Sequence, residues 1–287
     1  MPIPLFKAIG DPPIETQKSN IRNPVVWTIA GSDSGGGAGI QADLKVMSAF
    51  GVHGCSIITA LTAQNTQGVF SSEPVSPDML RAQFQALETD LPPTVIKTGM
   101  LGSVETVQFL ADMFQSLEVP IVCDPVLKST SGADLLDPAA VAILKHDIFP
   151  HVTVLTPNIP EAEFLIGHKI EDEAEAADEL LAMGVESVLI KGGHSDSDEC
   201  CDFWSAGGEC MWLTAPRIQT RHTHGTGCIL SSAIASALAL GQEMMEAVQT
   251  AKTFMTDCLL QPADVGRGHG PMMIKPPCKV SENESNL

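Results

Sequence analysis

The sequence predicts an α/β fold with a mostly parallel central sheet covered by helices on both faces. Short apolar runs alternate with segments of helical spacing from about residue 25 to about residue 260. This alternation is typical of parallel strands joined by crossover helices. Polar residues and glycines follow several of the apolar runs, and in such folds ligands bind beyond the carboxyl ends of the strands. A candidate binding site is therefore expected at one edge of the sheet.

The apolar runs predict six strands. The first, VVWTIAG, is apolar up to its last residue, a glycine, and the others are similarly short. The predicted strands cover residues 25–31, 54–63, 94–101, 120–127, 152–158 and 185–193. A further stretch, residues 200–216, has Gly207 and Gly208 near its centre, which is typical of the turn of a β-hairpin. This stretch is therefore predicted to form two antiparallel strands.

Helices are predicted between and after the strands. Ser76, Pro77 and Asp78 are typical of a helix start, and apolar residues follow them at helical spacing. Gly184 is typical of a helix end. The predicted helices cover residues 39–50, 76–90, 104–117, 138–145, 171–184, 228–240 and about 243–260.

Length and composition limit the functions that the chain can have. Its 287 residues, 44% of them hydrophobic and 18% charged, suit one large α/β domain. We assign that domain to residues 25–273, with a flexible extension at 1–24 and a polar tail at 274–287. The net charge of −19 argues against nucleic acid or an anionic membrane as a partner, because both require basic surface. Phosphates must then be bound locally, by backbone amides, a few lysines and a metal ion.

The sequence predicts a cytoplasmic protein. Its eight cysteines are scattered, without the dense spacing of a disulfide framework. Residues 1–24 lack the apolar core of a signal peptide, and no segment approaches the roughly 20 apolar residues of a membrane span. We therefore expect free thiols and no membrane partner.

The stretch AGSDSGGGAGIQADLK, residues 30–45, leads from the first predicted strand into the first helix. It matches neither the Gly-Lys-Ser/Thr phosphate loop nor the Gly-x-Gly-x-x-Gly dinucleotide pattern. It is either a flexible turn or a loop whose glycines let the backbone approach a small planar ligand. Asp43 accordingly either accepts a hydrogen bond from a ligand hydroxyl or stabilises the helix N-terminus. Gln64, just past the second strand, is either a ligand contact or an ordinary polar residue.

Three later strands also end in polar residues. Asp124 directly follows the apolar run PIVC of the fourth strand, Asn158 ends the fifth strand and Glu161 follows it, and Lys191 lies near the end of the sixth. An amide and carboxylates at this edge suit Mg²⁺ that is held largely through water. Asn-x-x-Glu is equally typical of a capping box at a helix start, and this alternative stays open. Lys191, which two glycines follow, is either solvated or in contact with a phosphate.

The motif GTGC, residues 225–228, stands directly before an apolar run of helical character. A helix start exposes unpaired N–H groups and the positive end of a dipole, so it can hold an anion such as a transferring phosphoryl group. At this place we expect the Cys228 thiol to have a lowered pKa and to accept a proton from an attacking hydroxyl. A covalent nucleophile with His222 or His224 as its base, and a buried thiol that only packs, are the alternatives.

Together these motifs make the chain resemble the ribokinase superfamily, and more closely the bacterial hydroxymethylpyrimidine/phosphomethylpyrimidine kinases. The matching stretches run in order over about residues 26–235: TIAGSDSGGGAGIQADLK, GCSIITALTAQNTQGV, IKTGML, TPNIPEAEFL, LIKGGH and THGTGCILSSAIA. Many relatives, ribokinase included, carry aspartate at the position of Cys228. The resemblance implies a ribokinase-like, three-layer α/β/α sandwich and a homodimer. It also implies ATP- and Mg²⁺-dependent phosphorylation of 4-amino-5-hydroxymethyl-2-methylpyrimidine, and then of its monophosphate to the diphosphate, in thiamine biosynthesis.

The resemblance further implies a role for each candidate site residue. Residues implied to bind the pyrimidine are Gln64 at its amino edge, Asp43 near its hydroxymethyl group, Met100 and Val126 as apolar walls, and Gly31 and Ala38. Residues implied to bind ATP are Lys191, Asn158, Thr223, Gly225 and Gly227, and those implied to support Mg²⁺, largely through water, are Asp124 and Glu161. The catalytic group comprises Gly225, Thr226, Gly227, the base Cys228, and Lys191 at the phosphates. Residues 123–132 vary among relatives, and we interpret them as a lid in which Lys128 contacts phosphate.

Three other functions remain open at this point. A pyridoxal kinase of the same fold would also bind a planar ring that carries a hydroxymethyl group. A non-catalytic sensor would keep the pyrimidine pocket without transferring phosphate. A hydrolase with Cys228 as its nucleophile would form a covalent adduct and need no nucleotide.

Overall fold

The computed structural model describes residues 23–127, 136–192 and 199–276. These residues contain a nine-stranded sheet. Its strands are β1 (Val25–Asp33), β2 (His53–Asn65), β3 (Gly68–Pro74), β4 (Val95–Thr98), β5 (Ile121–Cys123), β6 (Val154–Leu155), β7 (Ser187–Ile190), β8 (Glu199–Ala206) and β9 (Glu209–Pro216). Their order across the sheet is β3-β2-β1-β4-β5-β6-β7-β8-β9.

The six central strands have the order β2-β1-β4-β5-β6-β7 across the sheet, and each pairs in parallel with its neighbours in this set. β3 at one edge pairs antiparallel with β2, while β8 and β9 continue the sheet antiparallel at the other edge. Because the central strands run in the same direction, their carboxyl ends lie along one edge of the sheet. The loops that leave this edge carry most of the residues described below as the site.

The helices are α1 (Gly39–Phe50), α2 (Pro77–Asp90), α3 (Val104–Phe114), α4 (Pro138–Ile143), α5 (Ile159–Ile166), α6 (Glu173–Leu181), α7 (Thr226–Ala239) and α8 (Met244–Leu259). A π-helical turn at Leu144–Ile148 and a 3₁₀ turn at Phe149–His151 continue α4. Over the described ranges, no helix has the length and apolar character that a bilayer crossing needs.

Helices pack on both faces of the sheet, so the described residues form three layers. Side chains alternate along β1: Trp27 and Ile29 belong to the core beneath α2 to α6, while Val26 belongs to the core beneath α1, α7 and α8. Both cores consist mainly of fully buried aliphatic residues. The predicted α/β class with helices on both faces is therefore confirmed.

The predicted strands, helices and hairpin are present, although β6 is only two residues long. Gly207 and Gly208 form the hairpin turn with φ of 55° and 89°, values that favour glycine. Two elements were not among the predicted ones. β3 has five exposed residues among its seven, so it lacks the apolar pattern of a strand. α5 begins inside the Asn-x-x-Glu stretch, with Asn158 as its N-cap and Glu161 in its first turn, as the capping-box alternative predicts.

Candidate active site

A cavity of about 1010 Å³ opens at the carboxyl edge of the parallel strands. Its walls come from the loops after β1, β2, β4, β5, β6 and β7, from the start of α7 and from one face of α8. All the predicted site residues except Asp43 line it, namely Gly31, Ala38, Gln64, Met100, Asp124, Val126, Asn158, Glu161, Lys191, Thr223, Gly225, Thr226, Gly227 and Cys228. Lys128 and Ser129 lie outside the described residues.

The start of α7 is built as a free helix N-terminus. Its N-cap, Gly225, has φ of 86°, and a Cβ added there would lie 2.0 Å from the carbonyl oxygen of Gly37. Only glycine fits this position, so no side chain caps the helix. Thr226 N–H donates to the Thr223 carbonyl at 3.3 Å, and no acceptor within the described chain pairs with the N–H groups of Gly227 and Cys228. The predicted anion site is therefore open to the cavity.

Lys191 lies opposite this helix start. Its ammonium is 2.8 Å from Asp124 Oδ1 and 4.0 Å from Glu161 Oε2. Burial lowers the pKa of Lys191, but the two carboxylates outweigh it and leave the pKa above its ordinary value. A Cβ added to Gly227 would lie 3.2 Å from both Asp124 Oδ2 and Lys191 Nζ. Gly227 therefore leaves the space in which a phosphate can meet the ammonium.

Asn158 and Glu161 form the capping box of α5. Glu161 N–H donates to Asn158 Oδ1 at 2.8 Å, and Asn158 N–H donates to Glu161 Oε2 at 2.8 Å. The structural alternative for this motif is thus confirmed. Both residues nevertheless line the cavity, and burial raises the pKa of Glu161 to about 7 although Lys191 opposes the shift. The motif shapes the helix start and also faces the site.

The carboxylates at this edge are too few to enclose a metal by themselves. Among the described residues, no group of three or more His, Cys, Asp or Glu side chains could hold a metal ion. Asp124 and Glu161 lie on either side of Lys191 and leave the other coordination positions to water or phosphate. This donor set fits Mg²⁺, which keeps several waters and binds through one or two carboxylates plus substrate phosphates.

The glycine-rich loop is ordered by Asp33. Its carboxylate accepts N–H groups from Gly35 at 2.7 Å, Gly37 at 3.0 Å and Ala38 at 2.8 Å, and contacts His224 Nε2 at 2.9 Å. Burial raises the pKa of Asp33, but the hydrogen bonds from His224 and from the backbone outweigh it, so the pKa lies below its ordinary value. Three amides of the loop therefore surround one buried carboxylate, an arrangement that favours an ordered loop over a flexible turn.

Gln64 and Met100 lie on the wall next to this loop. Gln64 Oε1 accepts a hydrogen bond from Thr62 at 3.2 Å, and its Nε2 is 3.2 Å from His224 Nε2. A Cβ on Gly31 would lie 2.9 Å from Met100 Sδ, so the thioether packs directly on the strand backbone. An amide beside a flat apolar wall is an arrangement that can bind the edge of a planar heterocycle.

The expectation that Asp43 contacts substrate is corrected by the structure. Asp43 is fully buried beneath the cavity, and Lys97 Nζ lies 2.8 and 2.9 Å from its two oxygens. Thr28 and Ser232 donate to the same carboxylate at 2.6 and 2.7 Å. α1 turns the face that carries Asp43 toward the sheet, so the carboxylate accepts hydrogen bonds from buried donors and not from a ligand. Lys97, which does line the cavity, was missed because it lies inside an apolar strand pattern.

The expected low pKa of Cys228 is also corrected. Burial raises the pKa of its thiol to about 12, although the ammonium of Lys97 and an N–H from Gly39 oppose the shift. Desolvation inside the cavity wall thus outweighs the helix start and the nearby cation. The thiol is therefore protonated at neutral pH in the free protein.

The cysteine-nucleophile alternative finds no support in the histidines. In the described part of the chain, no hydrogen bond joins His222 or His224 to Cys228. His224 Nε2 is engaged by Asp33 and lies beside Gln64. A base paired with the thiol, which this alternative requires, is absent among these residues.

A second buried ion pair lines the far end of the cavity. Lys252 on α8 is 2.7 Å from Asp202 Oδ2 on β8, and Asp202 Oδ1 accepts the N–H of Gly192 at 2.9 Å. Apolar side chains of the same part of the chain also line the cavity: Pro216, Ile218, Met255 and Leu259. Sequence reasoning missed both charged residues, because a lysine within a helix and an aspartate within a hairpin are ordinarily solvated.

Comparisons with known proteins agree with this geometry. Residues 33–273 match the phosphomethylpyrimidine kinase family. The chain is 45% identical over 261 residues to a hydroxymethylpyrimidine/phosphomethylpyrimidine kinase of Haemophilus influenzae, covering 88% of the chain and 96% of that protein. It is 46% identical over 251 residues to a thiamine biosynthesis bifunctional protein of Geobacter sulfurreducens, covering 86% of the chain but only 51% of that longer protein.

Solved structures agree on the ribokinase-like fold. A phosphomethylpyrimidine kinase of Clostridium difficile superposes with a TM-score of 0.73 at 41% identity, covering 82% of this chain and 99% of that one. An ADP complex of Bacillus subtilis pyridoxal kinase gives a TM-score of 0.81 at 31% identity, covering 89% and 98%. The family match and the identity to full-length relatives lead to one conclusion. The chain belongs to the phosphomethylpyrimidine kinase family.

Proposed function

We propose that this chain is an ATP-dependent phosphotransferase that phosphorylates 4-amino-5-hydroxymethyl-2-methylpyrimidine and then its monophosphate, to give the diphosphate used in thiamine biosynthesis. The observation that carries the proposal is the open start of α7 facing Lys191 across the cavity. Such a site gathers the charge of a transferring phosphoryl group. The names of the relatives supply the substrate, and the amide of Gln64 beside an apolar wall suits a small aminopyrimidine.

The substrate ring binds between the glycine-rich loop and the apolar wall. Gln64 pairs with the amino edge of the ring, while Met100 and Val126 pack on its faces. Asp33 and His224 hold the loop amides next to the start of α7, so ring and phosphate sites keep a fixed separation. This positioning converts a bimolecular transfer into an effectively unimolecular one, which is where much of the rate comes from in phosphoryl transfer.

The phosphoryl group moves from ATP to the substrate oxygen at the mouth of α7. The N–H groups of Gly227 and Cys228 and the ammonium of Lys191 stabilise its equatorial oxygens. Loss of one such donor costs about 3 kcal/mol of transition-state stabilisation in comparable sites. Asp124 and Glu161 would hold Mg²⁺ largely through water, where the ion would neutralise phosphate charge, and Asn158 shapes that wall.

Cys228 is the group next to the reacting oxygen that can accept its proton. Its raised pKa means that only a small fraction is thiolate at neutral pH. So small a population of thiolate is sufficient, because phosphoryl transfer depends mainly on positioning and charge neutralisation. Most of the rate should therefore come from the amides and Lys191, and less from the thiol.

Phosphorus NMR with ATP, Mg²⁺ and the pyrimidine alcohol tests the proposal. We expect a monophosphate resonance followed by a diphosphate resonance. A single product would limit the activity to one step, and pyrimidine binding without ADP formation would favour the sensor. A covalent adduct at Cys228 without nucleotide would favour the hydrolase.

Pyridoxal kinase activity is the second candidate, because a pyridoxal kinase gives the TM-score of 0.81 quoted above. Parallel kcat/KM values for pyridoxal and the pyrimidine alcohol distinguish the two. We expect the pyrimidine to be preferred. We further propose a cytoplasmic homodimer, as the family resemblance implies. The net charge of −19 supports the absence of nucleic acid and anionic membrane partners.

A further inference from the structure

The buried pair of Lys97 and Asp43 has no role in the account so far. Both side chains are fully buried, and the ammonium contacts both carboxylate oxygens at 2.8 and 2.9 Å. Each oxygen accepts a second hydrogen bond, from Thr28 to Oδ2 and from Ser232 to Oδ1. The carboxylate is thereby saturated and held in one orientation. A buried ion pair is weak evidence of stability alone, so its position needs another explanation.

That position is directly below Cys228. Ser232, which donates to Asp43, stands four residues after Cys228 on α7, and residues at this spacing share one face of a helix. Cys228 therefore lies one turn closer to the helix start, on the face that contacts the ion pair. Lys97 and Cys228 both line the cavity, whereas Asp43 lies behind them. The ammonium of Lys97 and the helix face that carries Cys228 and Ser232 therefore meet around one buried carboxylate.

The other charges around the thiol come from three elements. Asp124 follows β5 and Lys191 follows β7, while Asp43 belongs to α1. Burial is the largest influence on the pKa of Cys228; Lys97 lowers that pKa, and Asp43 and Asp124 raise it. Burial also lowers the pKa of Lys97, but its anionic neighbours outweigh this and hold it above the ordinary value. Lys97 is therefore a permanent cation.

We propose that Lys97, held in place by Asp43, is a positioning residue whose fixed charge stabilises the thiolate of Cys228. This role of Lys97 in catalysis rests on the proposed function, in which the thiolate of Cys228 accepts the proton of the substrate. The electrostatic relation between the two side chains does not depend on which substrate is bound. This role explains why Asp43, which the sequence analysis expected to contact substrate, lies beneath the site and does not line it.

The test measures alkylation of Cys228 by iodoacetamide in the whole chain over a pH series. Mass spectrometry of the digested protein separates this thiol from the other seven cysteines among the eight. The variants are Lys97→Met and the double variant Lys97→Met with Asp43→Asn, called the neutral pair. The single variant leaves the buried carboxylate of Asp43 unpaired and can fail to fold, whereas the neutral pair leaves no unpaired charge. The matched control is Lys252→Met with Asp202→Asn, another buried pair that lines the same cavity.

In both Lys97 variants we expect Cys228 to react at least about threefold more slowly at a given pH. Each unit of pKa removes about tenfold of the thiolate, partly offset by the greater nucleophilicity of a more basic thiolate. The neutral pair should fall between wild type and Lys97→Met, because it also removes the opposing charge of Asp43. The control pair should leave the rate of Cys228 unchanged.

An unchanged rate in the neutral pair would overturn the proposal, and so would equal slowing in the control pair, since that would indicate a general loosening of the cavity. The phosphorus NMR assay on wild type decides the proposed function separately. If the chain forms no phosphorylated product while the alkylation order holds, the function is wrong and the charge relation stands. If product forms and the order fails, only the relation is wrong.

Discussion

Replacing Gly227 by alanine tests the phosphate site with little effect on the fold. Gly227 lies in the first turn of α7, where alanine is the better helix former by about 1 kcal/mol. The added Cβ, however, would lie 3.2 Å from Asp124 Oδ2 and 3.2 Å from Lys191 Nζ, in the space proposed for the phosphoryl group. The gain in helix propensity and the crowding of this ion pair oppose each other, so we expect an unfolding free energy within about 1 kcal/mol of wild type, together with a large loss of activity.

The size of the loss follows from the geometry. A methyl group at this place displaces the phosphate by a fraction of an ångström to about 1 Å, and a misplacement of that order costs about a hundredfold in rate. A hundredfold loss corresponds to about 2.7 kcal/mol of activation free energy. It should be seen in kcat more than in the KM of the pyrimidine, because Gln64 and the glycine-rich loop are untouched.

The assay couples ADP formation to a spectrophotometric signal, and chemical denaturation measures stability in parallel. Gly51→Ala is the control, since Gly51 has φ of 77° with nothing within 4 Å of an added Cβ. Its left-handed backbone should cost about 1–2 kcal/mol of stability and leave kcat unchanged. Wild-type kcat in Gly227→Ala would refute the assignment of the phosphate to this helix start.

Three further predictions concern the charged residues. Lys191→Met should lower kcat about a hundredfold, as measured by ADP release, because the ammonium stabilises the phosphoryl oxygens; a loss below threefold would contradict this. Asp33→Asn should raise the KM of the pyrimidine about tenfold with little change in the KM of ATP, because an amide cannot accept all the loop N–H groups; equal changes in both constants would contradict it. Burial raises the pKa of Glu161 from 4.5 to about 7 in the fold, so the unfolded chain binds fewer protons between these values and stability falls as pH rises through them. Glu161→Gln lacks this loss and keeps the capping box, so its Tm relative to wild type should rise from about pH 5 to about pH 8; a constant difference would show that the carboxyl titrates normally.

The elements that the sequence predicted well are those in which local pattern and packing agree. The buried runs of the parallel strands and the free start of α7 both follow from residue type and spacing. β3 was missed because an exposed edge strand carries no apolar signal. The helix after Asn158 had been foreseen only as an alternative, since the same two side chains serve a capping box and a cavity wall.

The errors at the site arise from burial, which a sequence does not display. Asp43 and Lys97 are 54 positions apart and pair only because α1 packs on β1, the strand that lies beside β4 in the sheet. The pKa of Cys228 depends on its desolvation, which in this structure outweighs the helix start. Asp33 and His224 likewise meet across 191 positions, and each alone resembles an ordinary loop residue.

The central claim is that the first-turn amides of α7 hold the transferring phosphate. A crystal structure with a non-hydrolysable ATP analogue and the pyrimidine alcohol tests it most directly. We predict the terminal phosphate within hydrogen-bonding distance of the Gly227 and Cys228 N–H groups, with Lys191 on its other side. A terminal phosphate bound elsewhere in the cavity, with those amides facing water or another protein group, would contradict the account.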